Sequence, residues 1–214
     1  MKIDFVSDVS CPWCAVGLSA LEQALANIGE ALPVDLHFQP FELNPQMAPE
    51  GEDIVEHLTR KYGIDAAQVA TNTANIRQRG QEVGFDFGLG KRSRVYNTFD
   101  AHRLLHWAGV HGPAGSQRAL KHALLKAYFT EGRDPSDHAT LLQAVAEVGL
   151  DATEAAAILV SERYVAEVRQ AETFYQQAGI HAVPAVIIND KHLISGGQPV
   201  EVFERALRQI AAQR

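Results

Sequence analysis

The sequence predicts an α/β fold in which a small sheet is interrupted by a long helical block. Three observations predict it. Residues 1–43 read as strand, helix, strand. The stretch from Asn44 to Gly179 reads as almost wholly helical. Residues 180–214 return to β-rich runs and close with one amphipathic helix.

The first strand is Lys2-Ile3-Asp4-Phe5-Val6-Ser7, which alternates as a half-buried strand does. Ser10 is placed to cap the helix that follows, and Pro12 fits its first turn, where a missing N–H costs nothing. Ala15, Leu18, Leu21, Leu25 and Ile28 recur at helical spacing until Gly29. Val34, Leu36 and Phe38 then alternate toward Pro40. A strand, a helix and a strand with a short return make a βαβ unit with a parallel pair.

Helices are expected near 51–62, 65–83, 97–110, 115–130, 137–147, 151–160 and 161–178, with Gly63, Gly84, Gly112, Gly132 and Gly149 as breaks. Asp151 and Ser161 read as helix starts, the first supported by Glu154 three residues on. Residues 80–94, rich in glycine and charge, read as a loop. After Pro184, the runs Ala185-Val186-Ile187-Ile188 and His192-Leu193-Ile194-Ser195 flank the turn-forming pair Asn189-Asp190 and predict a hairpin. Pro199 opens the last helix, whose apolar face is Val202, Phe203, Ala206, Leu207 and Ile210. The expected organisation is a core of 1–43 and 180–214 around a helical insertion of 44–179.

Composition narrows the function. Hydrophobic residues are 46% of the chain, enough for a buried core. The net charge of −7 disfavours a nucleic-acid partner, which needs clustered Lys and Arg. The short basic run Lys91-Arg92-Ser93-Arg94 reads as a solvated loop. No apolar run approaches the ~18 residues of a membrane span, and the N-terminus lacks a signal-peptide pattern. A cytoplasmic protein without a membrane partner is therefore expected.

The two cysteines carry the chemistry: Cys11-Pro12-Trp13-Cys14. A pair this close encloses almost no loop, so its bridge constrains little of the unfolded chain, and its value is chemical. A thiolate attacks a disulfide, and the start of a helix favours an anion. Cys11 is thus the expected exposed nucleophile. Cys14, nearly one turn later, is the expected buried resolving thiol. Pro12 stiffens the turn, and Trp13 adds no charge to it. The same four residues could be half of a zinc site, which would need two further ligands such as His102 and His106, four apart. No second C-x-x-C exists, and those histidines read instead as two partly exposed residues on a helix. No metal is expected. Val183-Pro184 just before the hairpin is a candidate cis peptide.

Taken together, these segments resemble the DsbA-like thioredoxin-fold proteins, in particular the FrnE-like subgroup. The segments are Phe5 to Cys14, Pro40-Phe41-Glu42-Leu43-Asn44-Pro45, Asn97-Thr98-Phe99-Asp100-Ala101-His102-Arg103-Leu104, Val183-Pro184 and Ile194-Ser195-Gly196-Gly197-Gln198. The resemblance implies a thioredoxin-like core with a helical insertion and thiol–disulfide exchange through Cys11 and Cys14. It implies a cis-Pro loop beside the cysteines, with the Val183 backbone pairing an extended substrate. Asn97, His102 and His181 are candidate cleft residues. The implied partner is a protein or small-molecule thiol or disulfide. No cofactor is implied beyond the redox-active disulfide, with glutathione a candidate co-substrate. Related glutathione-dependent isomerases of 2-hydroxychromene-2-carboxylate and kappa-class glutathione transferases carry Ser where this chain has Cys11. A glutathione-using isomerase or transferase is therefore the alternative enzyme. A chaperone-like or partner-binding module is the non-enzymatic one.

Overall fold

The computed structural model describes residues 1–213. Strand β1 (Lys2–Ser7) leads through a short loop into helix α1 (Pro12–Ile28), and strand β2 (Asp35–Pro40) returns beside β1. The two strands are parallel, in register from Lys2 against Asp35 to Ser7 against Pro40. The rest of the sheet comes from the other end of the chain. Strand β5 (Ala185–Ile188) pairs antiparallel with β1, β6 (His192–Ser195) pairs with β5, and the order is β2-β1-β5-β6. Asn189 and Asp190 take positive φ angles of 52° and 56°, the backbone that a tight hairpin turn requires.

The period-2 pattern decides what lies on each face. Ile3, Phe5, Val186 and Ile188 pack with Leu18 and Leu21 of α1 and with Phe203 and Leu207 of α9 (Val200–Ala211). Val6 and Ala185, of opposite parity, pack with Phe41, Tyr175 and Ile180. Each such large side chain contributes roughly 1.5–3 kcal/mol by leaving water.

Between β2 and β5 lie helices α2 (Ile54–Tyr62), α3 (Ala66–Glu82), α4 (Phe99–His111), α5 (Ser116–Leu125), α6 (His138–Glu147), α7 (Ala152–Leu159) and α8 (Val165–Gln177). The stretch also carries a two-residue pair, β3 (Glu52–Asp53) with β4 (Arg94–Val95), which closes the glycine-rich loop. Leu104, Leu120, Leu141, Val145 and Ile158 form a separate core among α4 to α7. Val9, two residues before Cys11, is the loop residue that enters it. Among the described residues no helix is long and apolar enough to cross a membrane.

Three local expectations differ from the structure. Ser10 does not cap α1: Cys11 occupies the cap position, and the Ser10 hydroxyl donates to Asp8 Oδ2 at 2.9 Å. A buried carboxylate is the stronger acceptor. Ser161 does not start α8. Arg103 donates to the carbonyls of Ile158, Ser161 and Arg163, which holds the chain in a bend, and α8 begins only after Tyr164 in the left-handed region. The helix expected to run to 130 leaves α-geometry at Lys126 and ends in a wider π turn over Lys126–Thr130.

Candidate active site

The sequence of α1 builds the centre. Cys11 holds the extended backbone of a cap residue (φ −90°, ψ 114°), and its carbonyl accepts from Cys14 N at 3.1 Å. Its side chain makes no capping bond, and the first turn carries no acidic residue. Sγ therefore sits at the positive end of a helix without capping it. Both cysteines are reduced. Cys14 is fully buried. Cys11 is only 4% exposed, so the expected exposed thiol is in fact nearly covered. Burial, then the contact with Cys11, pushes the Cys14 thiol far above the usual cysteine range. Trp13, between them, is 38% exposed.

The Val183–Pro184 peptide is cis, and Cys11 Sγ donates to the Val183 carbonyl at 3.7 Å. Pro184 is buried against α1, and the position it packs on is Gly17. A Cβ there would lie 3.0 Å from Pro184 Cγ and 3.2 Å from Gly197 Cα. Gly17 was missed in the sequence, although a glycine inside an apolar helix face, costing roughly 0.5–1 kcal/mol against alanine, is itself a signal. Gly17→Val is expected to destabilise the protein by roughly 1–3 kcal/mol by overpacking this contact. An unchanged urea midpoint would show that the loop moves aside freely.

Asp8 is the second residue the sequence reading passed over. It is fully buried. Its carboxylate accepts from Ser10 N at 3.2 Å, Ser10 Oγ at 2.9 Å and Leu43 N at 2.7 Å, and faces His102 Nε2 at 3.5 Å. Burial pushes its carboxyl up, but the imidazole of His102 and the two backbone N–H groups outweigh burial and hold it at about 2. The cysteine loop, the segment after β2 and α4 thus meet on one carboxylate.

The other candidates make no hydrogen bond to either thiol. His102 is buried beneath the cysteine loop rather than lining an open cleft. Asn97 Oδ1 accepts from Phe99 N at 2.8 Å at the start of α4, and its amide reaches Glu42 Oε1 at 3.3 Å. Glu42 is also paired with Arg169, whose guanidinium lies 3.7 Å over the Phe99 ring. His181 is exposed on its loop and makes no hydrogen bond to either cysteine. Among the described residues no three His, Cys, Asp or Glu side chains gather as a metal set.

A groove of about 590 Å³ opens along the segment after β2, lined by Leu43, Asn44, Met47, His57, Arg60 and Lys61. Lys61 Nζ donates to Leu43 O at 2.9 Å and Asn44 Oδ1 at 2.7 Å. Leu43 is the same residue whose N–H binds Asp8, so the groove is hitched to the cysteine loop.

Residues 2–208 match the DSBA-like thioredoxin domain. The chain belongs to the DsbA-like thioredoxin family. A crystal structure of a probable DsbA oxidoreductase from Streptomyces coelicolor is 33% identical, with a TM-score of 0.92 over 100% of this chain and 91% of that one. The uncharacterized protein YwbO of Bacillus subtilis is 28% identical over 97% of this chain and 96% of its own length. The structure of a 2-hydroxychromene-2-carboxylate isomerase shares the fold, at 13% identity and a TM-score of 0.74, over 100% of this chain and 97% of that one. Membership of the DsbA-like family agrees with an oxidoreductase of the thiol–disulfide class.

Proposed function

We propose that this protein exchanges disulfides through Cys11 and Cys14, with Cys11 as the attacking and Cys14 as the resolving thiol. One observation carries the reading: two reduced thiols three residues apart, the first at the free cap of a 17-residue helix and against the Val183 carbonyl. The Cys11 thiolate attacks one sulfur of a substrate disulfide and releases the other as a thiol. Cys14 then attacks Cys11 Sγ, the internal disulfide forms, and the second substrate sulfur leaves reduced. Electrons can flow either way, according to the partner's potential.

Val183 carries its carbonyl on the loop facing Cys11, where an extended thiol or disulfide peptide could add beside it. The groove along Leu43 to Lys61 carries charges of both signs, with Glu52 holding Arg60 and His57 and with Lys61 bound to Leu43 O and Asn44 Oδ1, and glutathione is a candidate co-substrate there. A cytoplasmic working place belongs to the same reading. A serine at position 11 could hold a glutathione thiolate but could not form a disulfide, and here that position is a cysteine.

Limiting alkylating agent near neutral pH should label Cys11 before Cys14 in the reduced protein, as read by peptide mass spectrometry. First labelling of Cys14 would reverse the roles. Strong glutathione-dependent isomerisation of a chromene carboxylate that survives in Cys11→Ser would replace the exchange reading with the isomerase one.

A further inference from the structure

The first turn of α1 leaves one large apolar side chain in solvent. Trp13 is 38% exposed, whereas Cys11 before it and Cys14 after it are 4% and 0% exposed. The indole is nevertheless seated. Trp13 rests on Gly197, where a Cβ would meet Trp13 O at 3.0 Å, Trp13 Cε3 at 3.5 Å and Gly17 N at 3.5 Å. The loop that carries Gly197 is itself tied down. Gly196 takes a φ of 82°, and its N–H donates to Pro184 O at 2.8 Å. Gln198 Nε2 donates to Ser195 O at 2.8 Å. The seat of the indole is thus fastened to the Val183–Pro184 segment, whose Val183 carbonyl accepts from Cys11 Sγ at 3.7 Å.

Packing alone does not call for a tryptophan here. An indole is a large apolar surface, and a small polar side chain at this position would leave less of it in water. Its location gives the exposed ring a use. A substrate sulfur bonded to Cys11 Sγ brings its own Cα to about 4.4–6.8 Å from that of Cys11. The residue on either side of that substrate cysteine lies about 3.8 Å further along its chain. Trp13, two residues beyond Cys11, is within reach of a side chain placed there. The first turn of α1 carries no acidic residue, so what the ring offers such a side chain is apolar contact.

We propose that Trp13, seated on Gly197, is a specificity-determining residue: its exposed indole packs on an aromatic side chain next to the reacting cysteine of a peptide disulfide. This rests on the exchange reading above and names its substrate class. The seat matters because a ring held in one orientation loses little freedom when a second ring meets it. An aromatic pair gains enough beyond its buried area to change a rate constant by about two- to tenfold. Gly197 is the positioning residue of this pair. A side chain there would displace the Trp13 carbonyl and press on the ring edge at Cε3.

The test uses the reduced full-length protein and a pair of tripeptides, with phenylalanine or glycine on both sides of a central cysteine. Each peptide carries that cysteine as a mixed disulfide with thionitrobenzoate. The Cys11 thiolate attacks the peptide sulfur, the new disulfide forms, and thionitrobenzoate leaves with the electron pair as a coloured anion. The wild type should react with the phenylalanine peptide about two- to tenfold faster than with the glycine peptide. The ratio of the rates is the readout, so any change in the reactivity of Cys11 itself cancels. In Trp13→Ala the ratio should collapse, and Trp13→Phe should restore part of it. Gly197→Val should lower the ratio with Trp13 still present. Equal rates in the wild type overturn the proposal, and so does a ratio that survives in Trp13→Ala. An unchanged ratio in Gly197→Val overturns the role given to Gly197. Wild-type protein that reacts with neither peptide overturns the exchange reading as well.

Discussion

A Cys14→Ser variant is expected to accumulate mixed disulfides at Cys11, whereas Cys11→Ser should lose disulfide exchange to the background rate. The asymmetry follows from position. Cys11 Sγ lies at the start of α1 and donates to the Val183 carbonyl, where a substrate sulfur can arrive. Cys14 is fully buried beneath it and can reach only a sulfur already bound to Cys11. A hydroxyl at position 11 cannot form the first covalent bond, so nothing follows. A hydroxyl at position 14 allows that bond and blocks its release. Incubation with glutathione disulfide and intact-mass measurement checks both. An adduct on Cys11→Ser equal to that on Cys14→Ser would assign the attacking thiol to the wrong residue.

Loss of Asp8 should have the largest effect on stability. Asp8→Ala leaves Leu43 N, Ser10 N and the Ser10 hydroxyl without their acceptor, a carboxylate that is itself fully buried. Removing one partner from a buried charged network costs roughly 3–5 kcal/mol. Asp8→Asn keeps the shape and loses the charge, so it should fall between this variant and the wild type. The charge also makes stability depend on acid. A carboxyl whose folded pKa is depressed adds stability that is fully present above its unfolded pKa. That stability is lost as the pH falls through the folded value. For Asp8, held at about 2, the loss runs from about pH 4 down to about pH 2. It amounts to about 2 kcal/mol. Urea unfolding at pH 7, 4 and 2.5 should show this share of the decline in the wild type and lack it in Asp8→Asn. Parallel declines in the two proteins would show that Asp8 carries no such linkage.

Much of this protein follows from local pattern. The period-2 alternation of β1 and β2, the hairpin around Asn189-Asp190, and the start of α1 at Pro12 depend on neighbours in the sequence. Backbone sterics and the alternation of side chains along a strand determine them without knowledge of the rest. The placement of the cysteine pair was legible for the same reason: Cys11-Pro12-Trp13-Cys14 at a helix start is written in four consecutive residues.

What only the tertiary structure decided is how distant residues meet. Asp8 looks like an ordinary loop residue until Leu43 and His102 close around it. Ser10 has the chemistry of a helix cap, but a nearby buried carboxylate claims its hydroxyl. Ser161 has the chemistry of a helix start, but Arg103, far away in the chain, takes the surrounding carbonyls. Gly17 is a weak point in a helix until Pro184 and Gly197 need the space. Lys121 is one lysine of a mixed helix face until packing seals it in the interior. In each case the deciding contact joins segments remote in sequence. Hydrogen-bond competition and steric exclusion depend on where two chains meet in space, and no local periodicity records that.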